Sequence, residues 1–417
     1  MSIIRKLSVE ELDEFVQIDT NAYPGVFNHS PEVQQRLKQQ FHTTQESDPR
    51  TDYYGLFRDE RLLGGMRLHH YTMNFSSTLM EVGGVGSVAV DLLHKKEGVA
   101  KELIEYFIAY FRNKNCPLVM LYPFRLDFYK KMGFGYGTKM NQYKIKPSSF
   151  PKYLGEKKLQ FLTENHTKHI LDCYNRYAST QHGMMLRTEI EADSFFKNPN
   201  LLYVGYVEED KVLGYLSFTF KKESETNFSF NDLHVKEFIY ENVEAKNQLF
   251  SFLHSQFDQI NRVVIHTQDE YFHFPLQNPT NGTNHLLPSV YHEIECSGLG
   301  LMYRVVDVAG FFKVLKGHNF NNVTSRIKFV IQDSFVNENS GPIMVNFTDG
   351  IASVVDNSDY EFVVSIDISD FSSLVMGVVT AKALFQNGLL AISDYRKLGV
   401  LNRLFQTEEK PICMTAF

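Results

Sequence analysis

The sequence has no tryptophan, although phenylalanine and tyrosine number 35 and 22 in 417 residues. Every large aromatic surface, in a core or in a pocket wall, is therefore Phe or Tyr. Cysteine is scarce: Cys116, Cys173, Cys296 and Cys413 lie far apart and show no CxxC spacing. That spacing supports neither a zinc-ligand set nor a disulfide framework, so no metal site is expected and a reducing, cytoplasmic setting is. A basic excess is also missing, with 42 Lys and Arg against 49 Asp and Glu. A chain that tracks nucleic acid usually shows the opposite balance, and no nucleic-acid partner is expected. The acidic body instead suits a cationic substrate. No stretch reaches the length of apolar residues that crosses a bilayer. The run Phe371 to Leu390 comes nearest, and Ser372, Ser373, Lys382, Gln386 and Asn387 break it. The first residues, MSIIRKLSVEELDEF, carry charge early and hold no apolar signal core.

A chain of 417 residues exceeds one ordinary hydrophobic core. Three domains of α+β class are expected, over 1–150, 151–293 and 294–417. The first opens with a helix at SVEELDEFVQIDTNAY, where Ser8 caps, Glu11 completes a capping box, and Val9, Leu12, Phe15 and Val16 form the apolar stripe. YYGLFR and LLGGMRLH read as strands joined at Asp59–Glu60–Arg61. A strand around Ser87–Val90, a basic turn, a helix from about Gly98 to Asn113 and a strand at LVMLYPF follow. The segment KPSSFPKYL, 146–154, reads as a linker through its prolines and serines. Beyond it, LLYVGYVEEDKVLGYLSFTF repeats the earlier plan of strand, charged turn and strand, again followed by a helix and a strand. This second half lacks the basic–glycine turn before its helix. The third domain passes from LGLMYRV into a helix, then four short strands, then helices. The tail PICMTAF is apolar and is expected to pack.

The chemistry concentrates in VGSVAVDLLHKKEGVAKELI, 85–104. A strand with Val88, Ala89 and Val90 feeds a basic turn, and a helix from about Gly98 follows, with Val99 and Ala100 near its start. A helix start presents unpaired backbone N–H groups, and a pyrophosphate fits them. Lys95 and Lys96 add positive charge, and Gly98 lets a phosphate approach the backbone. Neither GxxxxGK[ST] nor GxGxxG is present. Tyr129, near the start of a short helix, is placed either to protonate a departing thiolate or simply to fill a helix–sheet contact. Asp127 is expected to cap that helix. His94 is a candidate base, or a solvent-facing turn residue.

Read together, these segments resemble the Eis-like bacterial N-acetyltransferases (the enhanced intracellular survival family), over residues 1–417. The family's turn, roughly VAVxPxHRRRG, stands here as VAVDLLHKKEG, and its IYGRFGYG as FYKKMGFGYG. The resemblance implies two tandem GNAT-like domains, the second degenerate, and a C-terminal sterol carrier protein-like domain. It implies acetyl-CoA as cosubstrate, held by Val88, Ala89, Val90, Lys95, Lys96, Gly98, Val99, Ala100 and Phe124. It makes Tyr129 the general acid and the terminal carboxylate of Phe417 the general base. The implied acceptor is a primary amine on a small molecule, an aminoglycoside or other polycation, and the implied assembly is a homo-oligomer, a hexamer. Leu92 replaces the turn's proline, Glu97 replaces a basic residue, and Phe124 stands where a small or hydroxylated residue aligns. Glu97 is expected to weaken the pyrophosphate field. The alternative reading is a non-enzymatic protein that binds an apolar ligand in the third domain.

Overall fold

A computed structural model describes residues 2–26, 30–356 and 359–417. The chain falls into two compact units. The first comprises Met1–Gly137, Leu301–Pro411 and Thr415–Phe417, and the second Thr138–Gly300 and Ile412–Met414.

The first unit begins with β1 (Ile3–Lys6), α1 (Val9–Ala22), α2 (Pro31–Ser47), β2 (Thr51–Arg58), β3 (Arg61–Phe75) and β4 (Thr78–Val90). It continues with α3 (Val99–Asn113), β5 (Leu118–Leu121), α4 (Leu126–Lys130) and β6 (Gly135–Tyr136). The sheet runs β1-β2-β3-β4-β5, then the strand Met302–Val305, then β6. Among the described residues of this sheet, β4 and β5 pair in parallel and the other pairs are antiparallel. The Ser8 hydroxyl accepts from the Glu11 N–H, and the Glu11 carboxylate accepts from the Ser8 N–H at 2.9 Å, so α1 starts where the capping box places it. Leu12, Phe15 and Val16 then pack with Leu37 and Phe41 of α2 and with Tyr53. On a separate core, Leu103, Ile104, Phe107, Ile108 and Phe111 of α3 meet Leu68, Val85 and Val119. Gly83 permits this packing, because a β-carbon there would lie 2.6 Å from the Phe111 ring.

Met302–Val305, read from sequence as the start of the third domain, completes this first sheet between β5 and β6. Arg304 on that strand is fully buried and donates to both oxygens of Asp333, at 2.9 and 2.7 Å. Removing one partner of such a pair costs about 3–5 kcal/mol. The rest of the third domain is a five-stranded sheet ordered Ile351–Val354, Gly341–Thr348, Ser325–Gln332, Phe362–Asp367 and Leu390–Ile392. Phe312, Phe320, Phe329, Phe347, Phe371 and Phe405 fill its interior with mutual ring contacts. Helix Ile368–Val375 holds α4 and β6 in place. Lys130 donates to Asp370 at 2.5 Å, and the Ser373 hydroxyl donates to the Tyr136 carbonyl at 2.9 Å.

The second unit repeats the plan. Its sheet is ordered Leu159–Leu162, Leu202–Glu208, Lys211–Lys222, Asn231–Tyr240, Ile260–Thr267, Met140–Ile145 and Glu295–Gly298. The expected linker at 146–154 starts directly after one of these strands and folds within this unit. Pro147–Ser149 forms a single turn, and Phe150 is buried. Helix Val243–His254 follows its strand after two residues, and Asn242 caps it by accepting from the Ala245 N–H at 2.8 Å. Arg187 and Glu237 form a buried ion pair in this unit, joined by the Tyr215 hydroxyl at 2.7 Å. Among the described residues no helix is long and apolar enough to cross a membrane. All four cysteines are free thiols.

Candidate active site

The site begins where two parallel strands part. β5 pairs with β4 only from Gly83 to Val85, while β4 runs on to Val90. Against β3, residues Ser87 and Val88 together oppose Met66, since Gly65 pairs with Ala89 and Arg67 with Gly86. This bulge puts Ser87 at φ 47° and turns the strand's end outward. Past Val85, β4 therefore has one edge without a neighbouring strand among the described residues. An open edge offers backbone N–H and C=O groups to an extended ligand. The hydroxyl of Tyr23, at the end of α1, donates to the Val88 carbonyl at 2.9 Å. Val88, Ala89 and Val90 end β4, the strand the sequence predicts there, with the Ala89 side chain buried toward α1 and α2.

The basic turn links that edge to α3. Asp91 accepts from the Leu93 N–H, Lys96 takes φ 68°, and Gly98 takes φ 86° as the residue before the helix. No side chain caps α3, so the N–H groups at its start, including those of Val99 and Ala100, remain available. Lys95 and Lys96 are exposed and form no ion pair among the described residues. The Glu97 carboxylate is held by His94 at 3.2 Å and Arg58 at 3.5 Å. Arg58 also pairs with Glu102, in the first turn of α3, at 2.6 Å. Arg58 therefore offsets two carboxylates at this helix start, and sequence reasoning missed it. His94 is engaged with Glu97 and does not line the cleft described next.

A cleft of about 210 Å³ opens beside the parted strands. Tyr23, Tyr122, Phe124 and Tyr129 supply its rings, Gly86, Ser87 and Val88 its backbone, and Asp19 and Arg67 its charged side chains, and Phe417 also lines it. Tyr129 is 2% exposed, and its ring meets those of Phe124, Phe128 and Phe134. Burial, aided by Tyr23, pushes its hydroxyl far above the ordinary phenol range, so the proton stays on. Asp127 does not cap α4; it binds the Arg125 guanidinium through both oxygens, at 3.1 and 2.6 Å. The adjacent arginine fork satisfies the carboxylate better than a single backbone N–H.

Phe417 reaches the same cleft from the other end of the sequence. Its ring lies against Tyr71, Tyr122 and His69, with centroids 5.5, 5.1 and 5.8 Å away. The Tyr122 hydroxyl donates to the Thr415 carbonyl at 3.1 Å and steadies the last residues. Burial, then the charge of Arg67, keeps the His69 imidazole neutral well below its ordinary pKa. Asp19 is 2% exposed. Burial raises its carboxyl to about 6, against the pull of Arg67 and a hydrogen bond from Ser87. Asp19 Oδ1 and Arg67 Nε are both buried without a hydrogen-bond partner among the described residues.

Family models match three segments of the chain. An acetyltransferase (GNAT) domain model matches residues 3–137, a second acetyltransferase (GNAT) domain model matches 183–296, and a sterol carrier protein domain model matches 310–414. The chain carries two acetyltransferase (GNAT) domains and a sterol carrier protein domain. Its order of domains, two GNAT domains and then a sterol carrier protein domain, is the Eis-like one. Solved structures agree on the fold over the full length of both chains. A GCN5-related N-acetyltransferase from Anabaena variabilis ATCC 29413 aligns with TM-score 0.79 at 17% identity, covering 100% of each chain. Another from Kribbella flavida aligns with TM-score 0.77 at 15% identity, covering 100% of each. Eis1 from Mycobacterium abscessus aligns with TM-score 0.75 at 16% identity, again covering 100% of each. No curated protein matches the sequence.

Within this GNAT fold the two halves differ at the places that matter. The first GNAT domain leaves the start of α3 uncapped, whereas the second fills the corresponding start with Asn242. The acyl-CoA cosubstrate that the GNAT fold implies suits the first domain, where free N–H groups, Lys95 and Lys96 coincide. In the second unit Glu223, Asp232 and His234 bring ligand-type atoms within 4.8 Å of one another. Lys221 already pairs with Glu223, and Asn261 donates to Asp232. Besides Arg58, sequence reading overlooked Asp19, Arg67, Gly84 and Gly86. The run VGGVGSV carried the one local signal for the glycines, since closely spaced glycines in a strand mark close approach.

Proposed function

We propose that the first GNAT domain transfers an acetyl group from acetyl-CoA to a primary amine on a small molecule. What carries this reading is the meeting, in one cleft beside the open edge of β4, of the Tyr129 side chain and the Phe417 carboxyl group. In this reading the pyrophosphate lies at the start of α3, on the N–H groups of Val99 and Ala100 with Lys95, Lys96 and Gly98. The pantetheine arm runs along Val88, Ala89 and Val90, and Phe124 packs near the thioester. Backbone donors of that edge polarise the acyl carbonyl. The Phe417 carboxylate removes a proton from the acceptor ammonium, directly or through water. The free amine attacks the carbonyl carbon, the carbon–sulfur bond breaks, Tyr129 gives its proton to the departing sulfur, and the second proton shed by the nitrogen as the amide forms restores Tyr129. A strongly held phenolic proton is compatible with that last step, because the same burial raises the proton affinity of a thiolate.

The alternative of an apolar-ligand carrier has less support. Six phenylalanine rings occupy the interior of the sterol carrier protein domain, where an apolar ligand would have to lie. Thiol release from acetyl-CoA over a panel of amines tests the transferase reading. Tyr129→Phe should lower kcat by about 100-fold, the lower range for a positioned acid, with little change in amine KM. An unchanged kcat removes Tyr129 from the mechanism, and no release with any amine overturns the reading.

A further inference from the structure

Building on the transferase reading, we propose that Asp19 anchors the acceptor's ammonium, and that the cleft takes a small amine with one cationic centre. Asp19 stands in the last turn of α1, lines the cleft and is 2% exposed. Its Oδ1 has no hydrogen-bond partner among the described residues. Leaving a buried carboxylate oxygen unpaired is unfavourable, and evolution rarely leaves such an atom without use. Ser87 hydrogen-bonds the carboxyl, yet Oδ1 stays unpaired, and the other neighbouring groups do not satisfy it. The Tyr23 proton is committed to the Val88 carbonyl. Arg67 acts on Asp19 through its charge and forms no ion pair with it among the described residues. An ammonium supplies both things that are missing, a positive charge and N–H donors.

The charges of the cleft indicate how many ammonium groups it takes. Among the described residues its lining holds the Asp19 carboxylate, the terminal carboxylate of Phe417 and the Arg67 guanidinium. Two negative charges and one positive leave a single net negative charge, which one ammonium neutralises. A second ammonium of a polycation would meet the like charge of Arg67. The rings of Tyr23, Tyr122 and Phe124 suit an apolar or aromatic body. The cleft of about 210 Å³ lies below the usual range for drug-sized ligands, so the acceptor's buried part is small. The two carboxylates then divide the work. Asp19, fixed by α1, holds the ammonium, and the terminal carboxylate over Gly86 takes its proton. This narrows the acceptor away from the polycation that the Eis-like resemblance implied.

Thiol release with phenethylamine, spermidine and kanamycin tests this, with native protein, Asp19→Asn and Asp19→Glu. Phenethylamine should show the highest kcat/KM. Asp19→Asn should raise its KM by roughly 10- to 100-fold, the range for losing a charged hydrogen bond, with the Kd for acetyl-CoA unchanged. Asp19→Glu keeps the charge and should recover part of the lost affinity, which a merely structural role would not produce. The inference is overturned if Asp19→Asn, folded and binding acetyl-CoA, keeps the amine KM within about twofold. It is also overturned if either polycation is the better substrate. In both cases thiol release persists and the transferase reading stands. Release with none of the amines would instead remove that reading and this inference together.

Discussion

The carboxyl carbon of Phe417 lies 2.9 Å from the point where a β-carbon on Gly86 would stand. Two residues earlier on the same strand, a β-carbon on Gly84 would come within 3.2 Å of the Phe417 ring. Gly86 and Gly84 therefore share a face of β4 and leave room for the chain's last residue. Gly83, one residue from Gly84, serves the other face by admitting Phe111. The alternation of a strand thus separates a core glycine from two site glycines.

Gly86→Ala should displace the terminal carboxylate without disturbing the cosubstrate side. Neither Gly84 nor Gly86 has a positive φ, so alanine is acceptable to the backbone, and the clash with the tail remains. Overpacking of this kind costs about 1–3 kcal/mol, which corresponds to a loss of roughly 5- to 150-fold in kcat if the carboxylate must sit where it does. Steady-state kinetics together with acetyl-CoA titration check this. A fall in kcat with an unchanged Kd for acetyl-CoA is expected.

Asp19 makes an opposite prediction for stability. Burial raises its carboxyl from 3.8 to about 6, so the folded chain holds that proton more tightly than the unfolded chain. The stability this group contributes is full below about pH 4 and is lost as pH rises through about 6. At pH 8 ionisation of Asp19 costs on the order of 3 kcal/mol. Arg67, Ser87, Tyr23 and Tyr53 face or act on this carboxyl, and the value already includes the opposing effects of Arg67 and Ser87. Asp19→Asn should therefore melt at higher temperature than the native protein at pH 8, with the gain shrinking as pH falls toward 4. Thermal unfolding followed at several pH values checks the sign. A variant that binds amine poorly yet is more stable is the expected signature of an anchoring carboxylate.

Arg58 governs the field at the start of α3. Its loss in Arg58→Ala frees the carboxylates of Glu97 and Glu102 beside the expected pyrophosphate position. Each charge near a helix start is worth about 0.3–1 kcal/mol, so with two carboxylates freed acetyl-CoA should bind roughly 3- to 30-fold more weakly. Isothermal titration at low and high salt checks this, and the difference should narrow as salt screens it.

Much of the fold was readable because its signals are local. Ser8 and Glu11 mark the start of α1 by themselves, and Gly98 marks the start of α3. The positive φ of Asp59, Glu60, Glu209 and Asp210 follows from charged turns of similar plan in the two halves. What escaped was set by distant partners. Met302–Val305 reads as a strand, but nothing in MYRV says that it pairs with β5 rather than with its own domain. Residues 146–154 carry linker chemistry, yet they turn directly after Met140–Ile145 has joined the second sheet. Asp127 had an arginine two positions away, and the guanidinium outcompeted the helix N–H groups. In the cleft, Tyr129 and Phe417 were reached through motif resemblance. Asp19 and Arg67 were hidden, because burial and unpaired atoms exist only once α1, β3 and β4 have come together.

The terminal carboxylate is the claim on which the proposed chemistry turns, and shortening the chain by one residue tests it most directly. Protein ending at Ala416 should fold and bind acetyl-CoA as before, while kcat for thiol release with a primary amine falls about 100-fold or more, as for loss of a positioned base. A kcat within about twofold of the full chain, with acetyl-CoA binding intact, would contradict the account.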